Sequence, residues 1–198
     1  IAIFSNGFIR YAAVLPLGGN LLTKDISYLL KTPLAEAERA KTLNGAAFLS
    51  AGDEQVKISL PLIGEEAEGV TTTVSRQTLI SIMLARIEQI FGFLRTHLMA
   101  EEKEDLATRR IILCGGVSQT AGLQDKAKEL LDAQIRLGKP VYINGLSNVL
   151  PLTTLSTVIG LLLYALNYRI KNEDKKRKLQ SEKTTWFKKV VKWMIQSF

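Results

Sequence analysis

Apolar and polar positions alternate along this chain in a way that separates short extended runs from helices. Residues 1–4 and 8–17 are rich in β-branched and aromatic side chains, and Ser5, Asn6 and Gly7 lie between them. Asn-Gly tolerates the positive φ values of a tight turn, so the chain is predicted to open with a β-hairpin. Gly18 and Gly19 interrupt the pattern, and Thr23 then offers a cap for a helix over residues 24–31. Thr32 and Pro33 restart a second helix, with proline at its first position, that runs through Lys41.

Residues 55–62 and 71–74 read as two further strands. Ser75 caps a long helix to about Ala100, whose stripe of Leu79, Ile82, Met83, Ile87, Ile90, Phe91, Leu94 and Leu98 recurs at three- and four-residue spacing. After a charged break at 101–105, residues 109–114 form an apolar run ending in Gly115 and Gly116. A helix is predicted over 122–131 and a last short strand over 140–143. No charge occurs between Lys139 and Arg169. The densest part of that stretch, 152–166, contains Thr153, Thr154, Ser156 and Thr157 and is shorter than the roughly 20 apolar residues of a bilayer crossing. It reads as a buried core helix.

Charge changes the picture at the C-terminal end. The formal net charge is +7, and residues 167–198 carry ten Lys or Arg against three acidic residues. Residues 1–166 are therefore neutral, and an anionic surface would be met by the tail. Residues 169–185 are dense in charge and poor in large apolar groups, the composition of a flexible linker. At 100° per residue, Trp186, Phe187, Val190, Val191, Trp193, Met194, Ile195 and Phe198 fall on one arc, with Lys188, Lys189, Lys192 and Gln196 opposite. Aromatic residues on one face and lysines on the other are the composition of an interfacial membrane helix, with docking on its own domain or in a partner's groove as the second reading. Thirteen residues is near the length below which a helix is unstable alone in water, so it should fold on its surface. An apolar arc has no use against phosphates, which argues against nucleic acid as the partner.

Cys114 and His97 are the only residues of their kinds. A disulfide framework, a zinc site of ordinary spacing and a Cys/His or Ser/His nucleophile pair within this chain are thereby excluded. Cys114 is expected as a small buried hydrophobe and His97 as a solvated or capping residue. The chain begins Ile1-Ala2-Ile3-Phe4 without methionine or a basic leader, and reads as a piece of a longer protein. The remaining chemical signal is the strand, Gly115-Gly116 turn, Val117 and following helix. Glycines there let a ligand approach the backbone, and the helix N-terminus offers free N–H groups.

These features occur together with Leu15-Pro16-Leu17-Gly18-Gly19, Thr23-Lys24-Asp25-Ile26, the segment 32–41, Ser75-Arg76-Gln77, Ala85 to Phe91, Gly160 to Ala165 and the amphipathic tail. In that order and spacing the chain resembles the C-terminal portion of the FtsA family, actin-like cell-division proteins of bacteria. The resemblance implies an α/β, actin-like (ribonuclease H-like) second lobe with a small inserted subdomain, plus a C-terminal amphipathic helix. Residues 1–22 and 105–150 would form the large subdomain, 23–104 the small one, 151–168 a helix returning to a first lobe that precedes Ile1, 169–185 the linker and 186–198 the membrane helix.

It also implies a non-enzymatic adaptor that holds FtsZ filaments to the cytoplasmic face of the inner membrane at the division septum. Gly18, Gly19, Glu38, Lys41, Gly115, Gly116 and Val117 would border ATP, bound with magnesium in the full-length protein. The phosphate loops would precede Ile1, so hydrolysis is not expected of this chain and nucleotide binding should be weak or lost. Arg76 and Arg86 are the candidates to pair with the acidic FtsZ C-terminal peptide. Other partners implied are anionic lipids, further copies in actin-like polymers and other division proteins. Half of another actin, Hsp70 or sugar-kinase-like ATPase shares the glycine turn and the Glu-Arg-Ala-Lys helix, and a pilus-assembly scaffold is the third reading.

Overall fold

A computed structural model of the chain describes residues 1–64, 69–101, 110–140 and 153–169. Residues 1–139 and 140–198 form two separate units. The expected strand at 140–143 and the tail at 186–198 lie outside the described residues, Pro140 apart.

The first unit opens with the predicted hairpin. Strands β1 (Ala2–Ser5) and β2 (Phe8–Ala12) pair antiparallel, and Asn6 and Gly7 take φ values of 52° and 81° at the turn. Strand β2 ends at Ala12 rather than 17. Helix α1 (Gly19–Leu30) starts at the second glycine, with Gly18 as its N-cap, so Thr23 sits one turn inside the helix and is not its cap. Helix α2 (Leu34–Asn44) follows, with Pro33 just before its first residue.

Strands β3 (Lys57–Pro61) and β4 (Thr71–Ser75) form a second antiparallel pair. Ser75 caps α3 (Arg76–Glu101) as the sequence suggests, its Oγ accepting from the Thr78 N–H at 3.2 Å. Beyond it, β5 (Arg110–Leu113) pairs in parallel with β6 (Gln134–Leu137), and helix α4 (Leu123–Leu131) provides the crossover. Strand β6 has no counterpart in the sequence reading, and neither has the single 3₁₀ turn Gly116–Gln119 that follows the glycine pair.

The core gathers Leu22 and Ile26 of α1, Ala37 and Ala40 of α2, Ile58 and Leu60 of β3, and Leu123, Ala127 and Leu131 of α4 around α3. The α3 stripe predicted from periodicity supplies Leu79, Met83, Ile87 and Phe91. By length and composition alone, Arg76–Ala100 is long and apolar enough to cross a membrane. Its apolar face is instead closed by the core.

Three further expectations fail. His97 is half-buried and paired rather than free in solvent or a cap: its Nε2 lies 2.8 Å from the Tyr11 hydroxyl, with the rings 6.0 Å apart. Cys114 is exposed, because β5 ends at Leu113 and the residue falls in the turn. In the second unit residues 156–169 are helical (α5), yet Leu161, Leu162, Tyr164 and Leu166 are exposed and only Ile159 is fully covered. A run without charge permits burial but does not supply a partner to be buried against.

Candidate functional site

The first glycine pair, α2 and the second glycine motif meet at one place. Gly19 is packed so closely that a Cβ there would stand 2.5 Å from Val117 Cγ2 and 3.6 Å from Lys41 Nζ. Glycine is required by this approach, since the start of α1 must lie against the turn after β5. At that turn Gly115 takes φ 97°, ψ 173°, a conformation side-chain-bearing residues avoid. Buried Ser118 fastens it, donating from Oγ to the Gly115 carbonyl at 2.7 Å. Gly18 and Gly115 have open space where a side chain would stand, so their backbone is accessible.

Helix spacing places Glu38 and Lys41 on one face of α2, three residues apart. Lys41 donates to Glu38 Oε2 at 2.6 Å, to Thr23 Oγ1 at 2.9 Å and to the Gly19 carbonyl at 3.3 Å. All three ammonium protons have an acceptor, consistent with a side chain only 12% exposed. Thr23 Oγ1 in turn donates to Glu38 Oε2 at 2.5 Å, with the Gly19 carbonyl a longer alternative at 3.2 Å.

The Glu38 side chain is 52% exposed. Desolvation alone would raise its pKa, but hydrogen bonds from Lys41 and Thr23 and the lysine charge together outweigh this and lower it. The carboxylate is held ionised, one oxygen committed inward and the group open to solvent.

Of the residues singled out for this site, Gly19, Glu38, Lys41 and Val117 are thus brought together, with Gly18 beside them in the chain and Gly115 and Gly116 in the turn that carries Val117. Thr23 and Ser118 were missed. Thr23 had a signal, standing four residues after Gly19 on the turn of α1 that faces α2, but its cap-forming chemistry competed for the same residue.

The two arginines are engaged elsewhere. Arg76 pairs through Nη1 with Asp53, whose side chain is 4% exposed, and donates from Nε to the Asn44 carbonyl at 2.9 Å. Arg86 grips Asp25 of α1 through Nε and Nη2 and reaches Gln89 through Nη1. Both arginine side chains are about a quarter exposed, 26% in each case. Among the described residues no group of three or more His, Cys, Asp or Glu side chains could hold a metal ion.

Comparison with known proteins agrees with this architecture. The chain is 15% identical to MreB 5 of Spiroplasma citri, solved bound to ADP, and superposes with a TM-score of 0.65 over 87% of this chain and 51% of that one. The fold is the actin-like α/β fold. The chain is 37% identical to the cell division protein FtsA of Neisseria meningitidis serogroup B over 82% of its own length, and 27% identical to that of Escherichia coli K12 over all of it. It spans 39% and 48% of those two relatives, less than half of either. The family described as "Cell division protein FtsA" matches residues 1–160, and the chain belongs to that family.

Proposed function

We propose that this chain is the membrane-proximal part of a division adaptor that fastens FtsZ filaments to the cytoplasmic face of the inner membrane at the septum. The observation that carries the reading is the aromatic and lysine pattern of residues 186–198, placed after a region that matches the FtsA family. Each lysine near an anionic leaflet contributes about 1 kcal/mol, and the apolar arc several more. Attachment is weak for one tail and firm for many, so self-association into an actin-like polymer would multiply it.

The cluster at Gly19, Glu38, Lys41 and Val117 fits the base and sugar end of an adenine nucleotide. It offers a half-exposed carboxylate able to accept from sugar hydroxyls, beside the open glycine backbone of Gly18 and Gly115. Gly18, Gly115 and Gly116 complete that surface, and in the complete protein ATP would bind with magnesium. Binding of nucleotide to these residues alone is weak. The acidic C-terminal peptide of FtsZ is received on the helical region that includes α3. Since Arg76 and Arg86 already hold carboxylates, the peptide would have to share them.

Two measurements test the adaptor. Co-sedimentation with anionic liposomes should be lost when Trp193→Glu and Phe187→Glu are combined, and FtsZ should be captured by the chain. Liposome binding that survives the double change, or no capture of FtsZ, overturns the reading.

A further inference from the structure

Thr23 is the residue of this cluster to which neither the glycine turns nor the Glu38–Lys41 helix assigns a role. It is 6% exposed, it lies on α1 rather than α2, and its hydroxyl accepts from Lys41 and donates to Glu38. Lys41 and Thr23 both address the same carboxylate atom, Oε2, at 2.6 and 2.5 Å. Oε1 has no hydrogen-bond partner among the described residues, on a side chain that is half exposed. An exposed glutamate on a helix ordinarily samples several rotamers. Two donors from two different helices, one of them the short and stiff side chain of a β-branched residue, restrict this one.

From this arrangement we infer that Thr23 is a positioning residue for sugar recognition: by pinning Glu38 Oε2 it presents Oε1 as a fixed acceptor for a ribose hydroxyl, and so makes the site select ribonucleotides over nucleotides that lack that hydroxyl. The inference rests on the nucleotide surface proposed above. A carboxylate–hydroxyl hydrogen bond discriminates about tenfold or more when the acceptor is held in place, and less when the acceptor must be ordered on binding. Without the Thr23 hydroxyl only Lys41 remains, on the same oxygen, and the carboxylate can swing about that one contact.

The chain itself can be titrated by NMR with millimolar ATP and with 2′,3′-dideoxyATP, following the Glu38 side-chain carboxyl carbon and the backbone amides. In the wild type the Glu38 signal should move with ATP and not with the dideoxy nucleotide, and ATP should bind about tenfold more tightly. Thr23→Val, which keeps shape and removes the hydroxyl, should bring that ratio to about threefold or less, and Thr23→Ser should restore it. A Thr23→Val ratio equal to the wild type overturns the role of Thr23 while leaving the nucleotide surface intact. No response of the wild type to either nucleotide overturns the nucleotide surface and this inference with it. Should Thr23→Val fail to fold, Thr23→Ala takes its place, and a Thr23→Ala ratio equal to the wild type overturns the role of Thr23; in either case equal binding of the two nucleotides by the wild type excludes a fixed acceptor.

Discussion

Replacing Arg76 by Met should destabilise the chain by about 2–3 kcal/mol, far more than a surface arginine is worth. Asp53 is 4% exposed, and its two oxygens are used by Arg76 and by the Ser50 N–H at 2.7 Å. Removing the guanidinium leaves a buried carboxylate with one partner, and breaking a fully buried pair in this way costs about 3–5 kcal/mol. The Asn44 carbonyl also loses its donor, a further contribution of about 1 kcal/mol. Against this, Arg76 is 26% exposed and water can reach the vacated position, which reduces the total. With an m-value of about 2 kcal/mol/M, the urea midpoint should fall by roughly 1 M or more. Asp53→Leu combined with Arg76→Met should lose less than Arg76→Met alone, because no charge is then left unpaired. A single variant whose midpoint stays within about 0.3 M of the wild type would refute the reasoning.

Gly19→Ala should force Val117 away from the start of α1 and lower stability by about 1–3 kcal/mol, the range for overpacking. Adding Val117→Ala should recover part of that loss, and strictly additive thermal shifts would show that the two residues do not meet. Arg86→Glu sets like charges against each other at Asp25, and exchanging the pair with Asp25→Lys should restore the melting temperature. Affinity for the FtsZ peptide would stay low in the exchanged protein if the peptide reads the positive charge at Arg86, and a recovered affinity would remove Arg86 from that surface. In Lys41→Met the Glu38 carboxyl should titrate higher than in the wild type, as followed by NMR. A carboxyl whose folded pKa is lowered contributes stability above its unfolded pKa and loses it as pH falls through the folded value, so the variant should also lose less stability on acidification.

The sequence was most informative where one local cause dominates. Asn6-Gly7 specified the hairpin because few other pairs take positive φ twice, and Ser75 marked the start of α3 because its hydroxyl is used within one turn. The stripe from Leu79 to Phe91 was legible for the same reason, as a periodicity that only a helix reads. Elements that depend on distant partners were not. Strand β6 is four residues, Gln134–Leu137, and exists as a strand because β5 lies beside it. His97 gave no hint of Tyr11, which is 86 positions earlier. Part of the candidate site was accessible through the family resemblance, namely Gly19, Glu38, Lys41 and Val117, but Thr23 required the packing of α1 on α2 to be seen.

Burial within each ion pair separates the ones that hold the fold from the one that can serve a ligand. In Asp53–Arg76 the carboxylate is the buried member, at 4% against 26%, and both its oxygens are consumed by the chain. Asp25 and Arg86 are equally covered, at 24% and 26%, and grip each other through two bonds, which ties α1 to α3 and leaves little to offer. Glu38–Lys41 is inverted: the cation is the covered member, its side chain 12% exposed, and the carboxylate stands 52% exposed. A buried lysine with three acceptors has no free proton to give a ligand, so its contribution is to keep the neighbouring carboxylate charged and still. The reactive end of this cluster is therefore an acceptor, suited to hydroxyl or amino donors such as those of a nucleoside and unsuited to phosphate. Any phosphate that accompanies such a nucleoside would have to be held by other residues than these.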